Sequence, residues 1–221
     1  FVGYTLKNMR TGFEALRKVM VEGYRPSVAR LYDPPDGAFH FSKFAAKDDC
    51  VLLFMAEGPA GIVKATIEGI EQIVKAFPEC KPVDPHHLEE WIVATKTMGR
   101  TTEVSADWST ICDIYENALR RLRVDVPDIT VAGGHSSHSY INGTNMYFIY
   151  YYNVNCPPEQ EVDKYRTEIN RVICEETLKL GGSVVHHHGM GKARTPWIRE
   201  EYDSSYYILE RLKRAFDPND V

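Results

Sequence analysis

The chain has 221 residues, 43% hydrophobic and 26% charged, an ordinary globular composition that can bury a core without disulfide or metal support. Acidic residues outnumber Lys and Arg by 31 to 26, a net charge of −5, which argues against nucleic acid as a partner because phosphate neutralisation needs clustered positive charge. The five cysteines show no CxxC spacing and no apolar run reaches the roughly 18 residues of a membrane span, so zinc ribbons, redox dithiols and transmembrane helices are not signalled. An odd cysteine count without a framework points to a reducing compartment. A cytoplasmic location is therefore expected, with peripheral membrane attachment as the alternative. The start at Phe1 shows no basic region ahead of an apolar core, so no signal peptide is read, and both ends look cut from a longer protein.

Taken in chain order, Phe1 to Leu6 is β-prone, and Met9, Phe13, Leu16, Val19 and Met20 then fall at helical spacing before Gly23. Ser27 to Tyr32 reads as a strand ended by a turn at Asp33-Pro34-Pro35-Asp36-Gly37, and the stretch from Phe39 to Asp49 has no clear pattern. Val51 to Met55 is a continuous apolar run, the pattern of a strand covered on both faces. Residues 59–77 predict a helix, and 79–83 a short edge strand limited by Pro82. Residues 84–98 read as a linker.

The same order then returns. Arg100 to Val104 is strand-like, and 108–123 carries Trp108, Ile111, Ile114, Tyr115, Leu119 and Leu122 on one helical face. Ile129 to Ala132 opens a strand, and Asn145 to Val154 is a clear one, rich in aromatic and β-branched residues. Pro157 and Pro158 open a helix expected to run to about Leu180, where Gly181-Gly182 stops it. Ser183-Val184-Val185 is a short strand leading into histidines, and Pro196 starts a last helix. The fold predicted is α+β: ferredoxin-like, two β-α-β-β-α-β units over about 1–83 and 99–190 around a large antiparallel sheet with flanking helices, followed by a C-terminal helix.

Three segments carry candidate chemistry. The run His186-His187-His188-Gly189-Met190-Gly191 is internal and follows an apolar strand. Strand alternation would send His186 and His188 to one face and His187 to the other. Imidazole can relay protons, donate hydrogen bonds or bind metal near neutral pH, and the glycines let backbone turn and approach a ligand. His135-Ser136-Ser137-His138-Ser139-Tyr140 could set an imidazole beside a phenol, which needs such help to ionise near neutral pH; a polar turn loop explains it equally well. Arg30, inside a strand, is paired, faces a cleft or simply sits on the sheet's open face, and Lys192 and Arg194 could hold an anionic group or be solvated. No GxGxxG, GxxxxGK[ST], GxSxG or HExxH pattern occurs.

These segments together resemble the C-terminal substrate, or cap, domain of the flavin-linked oxidases of the vanillyl-alcohol oxidase superfamily, closest to the alkyldihydroxyacetonephosphate synthase branch. The residues carrying the resemblance are Arg25 to Asp33, Glu103-Val104-Ser105-Ala106-Asp107-Trp108, His135 to Tyr140 with Gly143 and Tyr147-Phe148, and Gly181 to Lys192, ending at Asp217-Pro218-Asn219. Lactate and glycolate enzymes of the superfamily look instead like Gly-Glu-His-Gly-Ile-Gly at the histidine run. The resemblance implies a large antiparallel sheet with flanking helices and FAD held mainly by a separate N-terminal domain, the expected partner. It also implies a reaction in which the fatty acid of an acylated dihydroxyacetone phosphate is exchanged on the flavin for a fatty alcohol, a step in making ether lipids. It places Tyr140 as proton donor and acceptor, His186, His187 and His188 as residues needed for activity, and Arg30 as a supporting arginine. His138 and Lys192 are expected to bind substrate, Gly189 and Gly191 to lie against the cofactor, and no metal is assigned. The branch's longer stretch before the Glu-Val-Ser segment carries a substrate-binding arginine. Here only Lys96 or Arg100 could stand in, which leaves a 2-hydroxy acid or other alcohol open as the substrate of an oxidase or dehydrogenase. A third reading is a non-enzymatic metal-binding module on His135, His138 and His186 to His188. The isolated domain is expected to be inactive, and a homodimer is compatible with the sequence.

Overall fold

The computed structural model describes residues 1–84 and 100–219. Among these, seven strands form one antiparallel sheet in the order β4-β1-β3-β2-β6-β7-β5. The strands are β1 (Val2–Leu6), β2 (Val28–Tyr32), β3 (Cys50–Met55), β4 (Lys81–Val83), β5 (Arg100–Asp107), β6 (Ile129–Ser136) and β7 (Gly143–Tyr152). The first four, in order 4-1-3-2, form one ferredoxin-like unit. The second unit runs β6-β7-β5 and then a single bridge, Ser105 to Ser183, where its fourth strand would stand. The predicted strand at Ser183 to Val185 is therefore reduced to one pair of backbone hydrogen bonds, Ser105 N to Ser183 O at 2.9 Å and Ser183 N to Ser105 O at 2.8 Å.

Alternation along the strands separates two faces. One face carries Leu6, Leu31, Leu52, Phe54, Val104, Met146 and Phe148, packed under four helices: α1 (Met9–Val21), α3 (Ala60–Val74), α4 (Ile111–Asp125) and α5 (Glu168–Lys179). The opposite face is covered over β2 and β3 by a helix the sequence reading took for a turn, α2 (Pro34–Phe41). Asp33 caps it by accepting from Asp36 N, and the two prolines fill its first positions, where a missing N–H costs nothing. Phe41 and Ala45 then close a second small core with Tyr32, Val51 and Leu53.

Other boundaries also differ from expectation. The long helix after Pro157 is a 3₁₀ turn, Pro158–Gln160, then a π turn, Val162–Thr167, and only then α5. The last helix is two: α6 (Gly191–Tyr202), with Pro196 inside it, and α7 (Tyr206–Phe216), separated by a turn at Asp203. The linker expected at 84–98, with Trp91 and Lys96, lies outside the described residues from 85 onward. No described helix is long and apolar enough to cross a membrane.

The two units join where β2 meets β6, through Leu31 to Ser136 and Tyr32 to His135, extended by Asp33 N donating to Gly134 O at 3.0 Å. Buried Asp33 also accepts from Gly134 N at 2.7 Å and from Tyr115 of α4 at 2.8 Å. Gly134 is needed because a Cβ there would lie 2.0 Å from Tyr147 O, a backbone atom of the neighbouring strand. Gly134→Ala should therefore force the β6–β7 ladder apart and destabilise the protein by about 3 kcal/mol, read as a lowered urea midpoint at unchanged m-value.

Candidate active site

The face left open by α2 over the second unit holds the candidate site. Its anchor is Glu103, fully buried in the middle of β5. Register sets Glu103 opposite Tyr147, and Asn145 two residues along β7 shares its face. Asn145 Oδ1 accepts from the backbone N–H groups of Ser137 and His138, at 3.0 and 2.9 Å. That turns its Nδ2 toward Glu103 Oε1, 2.7 Å away. The loop after β6 is thereby tied to the carboxylate through one amide.

After the Ser183 bridge the chain leaves the sheet and wraps around Glu103. The N–H groups of His187 and His188 donate to Oε2, each at 3.2 Å. His186 Nδ1 lies 3.0 Å and His187 Nδ1 2.8 Å from Oε1. The strand alternation expected for the three histidines does not occur, because this segment has no ladder; the rings of His186 and His187 turn to one carboxylate, which His188 reaches through its backbone N–H. Arg194 of α6 fixes the approach. It is buried and donates to Val184 O, Asn170 Oδ1 and Glu103 O, at 3.0, 3.0 and 3.3 Å. Burial alone would raise the Glu103 pKa, but the bonds from Asn145 and His186 and the nearby His187 and His188 hold it below the usual carboxylate range.

The far nitrogens of two imidazoles meet phenols. Tyr140 Oη lies 2.8 Å from His186 Nε2, and Tyr147 Oη lies 2.6 Å from His187 Nε2. Tyr140 is 46% exposed, so this pair stands at the surface of the site. Its backbone is pinned, N donating to Gly143 O and its carbonyl accepting from Trp108 Nε1. His138 packs 4.4 Å from the His187 ring, and burial, then the charges of His187 and His186, lowers its pKa. Burial, then Glu103, raises that of Tyr147.

The expected residues divide into three places. Tyr140, His138, His186 and His187 come together on Glu103. His188 stands at the rim, its ring 5.1 Å from Tyr147, and begins a cleft of about 640 Å³ lined by Gly189, Gly191, Lys192, Arg166 and Trp197. Gly189 and Gly191 take φ of 74° and 49°, left-handed values that bend the chain into α6. Arg30 lies on the same sheet face at the far end of an aromatic row. Its guanidinium donates to Tyr32 Oη at 3.1 Å, Tyr32 stands 5.2 Å from His135, and His135 stacks on Tyr147 at 4.8 Å. His135 in turn is held by Asp36 of α2 at 2.8 Å. Glu103, Asn145 and Tyr147 were not singled out from sequence as site residues, and Arg194, expected like Lys192 to hold an anion or be solvated, is instead buried and bonded to the protein's own oxygens. Glu103 could have been, since a carboxylate at mid-strand in a quoted motif needs a partner.

Glu103, His138, His186 and His187 each offer one ligand atom, all within 4.8 Å of one another, a donor set able to hold a divalent transition metal. The arrangement can also move a proton between a phenol and an imidazole backed by a buried anion.

The whole chain, residues 1–221, matches the family model for FAD linked oxidases, C-terminal domain, and it belongs to that family. It is 52% identical over 242 residues to an uncharacterized FAD-linked oxidoreductase, YgcU, of Escherichia coli K12, covering 100% of this chain and 50% of that protein. It is 20% identical over 262 residues to alkyldihydroxyacetonephosphate synthase of Dictyostelium discoideum, covering 100% and 42%. A solved alkyldihydroxyacetonephosphate synthase shares the fold at a TM-score of 0.64 and 18% identity, over 99% of this chain and 43% of that one. p-Cresol methylhydroxylase does so at 0.65 and 13%, over 99% and 50%. The resemblance to the C-terminal domain of flavin-linked oxidases and the antiparallel α+β architecture expected from sequence are thus borne out. The chain spans about half the length of the curated relatives it matches.

Proposed function

We propose that this chain forms the substrate-facing half of a FAD-dependent enzyme, with FAD held mainly by an N-terminal domain and a small-molecule or lipid-precursor substrate between the two. The reading rests on one observation: an exposed phenol, Tyr140, 2.8 Å from an imidazole that a buried carboxylate backs. The residues present fit a cofactor edge. Gly189 and Gly191 have open space where a Cβ would stand, and Lys192 lines the same cleft. Bound FAD would supply the electrophilic and redox chemistry. This chain's residues orient the substrate and hold a proton at Tyr140 Oη or His186 Nε2. The preferred chemistry is of alkyldihydroxyacetonephosphate synthase type, exchange of an acyl chain for an alkoxy chain without net oxidation. The match carrying it is the triple histidine with Tyr140. Oxidation of a 2-hydroxy acid is the second reading, favoured by Arg30 on the same face, whose guanidinium suits a carboxylate.

Anaerobic mixing of the full-length protein with each substrate class separates them. An acylated dihydroxyacetone phosphate and a labelled fatty alcohol should give a labelled ether with the flavin spectrum restored at the end. Prompt and lasting bleaching by a 2-hydroxy acid, with no ether formed, would replace the first reading by the second.

A further inference from the structure

We infer that the cleft of about 640 Å³ beside the histidine cluster is a site for an amphiphilic phosphate monoester, with Arg166 and Lys192 on the phosphate and Val162, Met190 and Trp197 along the apolar chain. The volume suits a small-molecule ligand. The first observation is charge. Arg166 and Lys192 both line the cleft, and no Asp or Glu lines it among the described residues. Both are exposed, and neither side chain has a hydrogen-bond or ion-pair partner among the described residues. Cations nearby in the chain show the usual alternative. Lys164 lies 3.3 Å from Asp128, and Arg171 lies 2.9 Å from Glu168 and 3.1 Å from Glu175. In a chain of net charge −5, two unpaired cations on one cavity favour an anion from outside. Arg194 also lines the cleft, but its donors are taken by Val184 O, Asn170 Oδ1 and Glu103 O, so it builds the wall.

The backbone supports the same reading. Arg166 stands in the π turn Val162–Thr167, a widened turn of the kind that recurs at functional sites, and Asn170 Nδ2 holds its carbonyl at 2.8 Å. Helix α6 starts at Gly191 on the cleft, so the positive end of its dipole adds to the two side chains. Two cations suit a dianion better than a single carboxylate charge, and a phosphate monoester carries roughly −1.5 to −2 at pH 7. The FAD diphosphate has no terminal phosphate, and the reading above puts it on the N-terminal domain. His188 is both the rim of the cleft and a neighbour of Tyr147, so a substrate anchored here ends beside the histidine cluster. The identity of that substrate as a phosphorylated lipid precursor rests on the function proposed above; the site does not. The sequence marks Lys192 for it but not Arg166. A 2-hydroxy acid would instead use Arg30, at the other end of the aromatic row.

Isothermal titration of FAD-loaded full-length protein with octyl phosphate, inorganic phosphate, octanoate and octanol tests charge and chain separately. Octyl phosphate should bind roughly tenfold or more tighter than each of the other three. Arg166→Ala and Lys192→Ala should each weaken it by roughly tenfold or more, and the double variant should bind it no better than octanol. Both side chains are exposed and unpaired, so the urea midpoint should not move. Unchanged octyl phosphate binding in the double variant, or equal affinity for octanoate in the unaltered protein, overturns the inference. So does loss of bound flavin from the double variant, which would give the two cations to the cofactor. Tight octyl phosphate binding by an enzyme inert to acylated dihydroxyacetone phosphate would keep the site and remove that reaction. Ether formation by the double variant with an unchanged KM for that substrate would keep the reaction and remove the site.

Discussion

Tyr140→Phe in the full-length enzyme is expected to lower turnover by roughly 10²- to 10⁴-fold, the usual contribution of a positioned acid–base group, while folding stability stays within about 0.5 kcal/mol. The two outcomes separate because only the hydroxyl is removed. The ring keeps its edge contact with His186, 5.5 Å between centroids. The backbone at this position is held by Gly143 and Trp108, neither of which touches the hydroxyl. Steady-state kinetics with whichever substrate reduces or engages the flavin, beside a urea titration, check both halves. Near-normal turnover would remove Tyr140 from the chemistry and leave the histidine cluster as a binding surface.

Asp33→Ala should destabilise the protein by about 3 kcal/mol or more. It strands Asp36 N–H, Gly134 N–H and the Tyr115 hydroxyl in a buried setting, and each unsatisfied group costs roughly 1–3 kcal/mol. The pH dependence is distinctive. Burial pushes the Asp33 pKa up to about 7, against the pull of its donors. The folded-state pKa thus exceeds the unfolded value of about 3.9. Its contribution is complete below pH 4 and is lost as pH rises through 7. Asp33→Asn, which cannot ionise, should therefore gain in stability relative to the unaltered protein between pH 6 and 8. Urea midpoints at the two pH values measure the difference, and a gap independent of pH would contradict the assignment.

Much of this architecture is legible in the sequence because it is local. Helical spacing from Met9 to Met20 and aromatic and β-branched enrichment from Asn145 onward are propensity and pattern, and they mark real elements. The element order sufficed for the duplicated sheet without any sequence repeat. What escaped is what depends on partners distant in the chain. Pro34-Pro35 reads as a turn until Asp33 is seen to cap a helix that packs on Val51 and Leu53. Alternation misplaced His187 because alternation presumes a neighbouring strand, and Ser183 makes the last such pairing. Glu103 looks like any solvent-facing strand charge until β7 brings Asn145 and Tyr147 beside it. The histidine run and the segment ending at Tyr140 stand out by residue type, and a resemblance gave Tyr140 its role; the carboxylate that organises them is visible only once strands are in register.

The truncated fourth strand of the second unit has a further consequence. In the first unit β4 completes the outer side of β1, whereas β5 has only the Ser183 bridge on its outer side among the described residues. An exposed strand border is a template for pairing with another chain. Here the border is guarded piecemeal: Ser183 takes both main-chain groups of Ser105, and Arg194 occupies the carbonyl of Glu103. The same segment that leaves the sheet to build the imidazole cluster thus also shields that border from self-association. Loosening it should make the protein prone to aggregate before it makes it unfold.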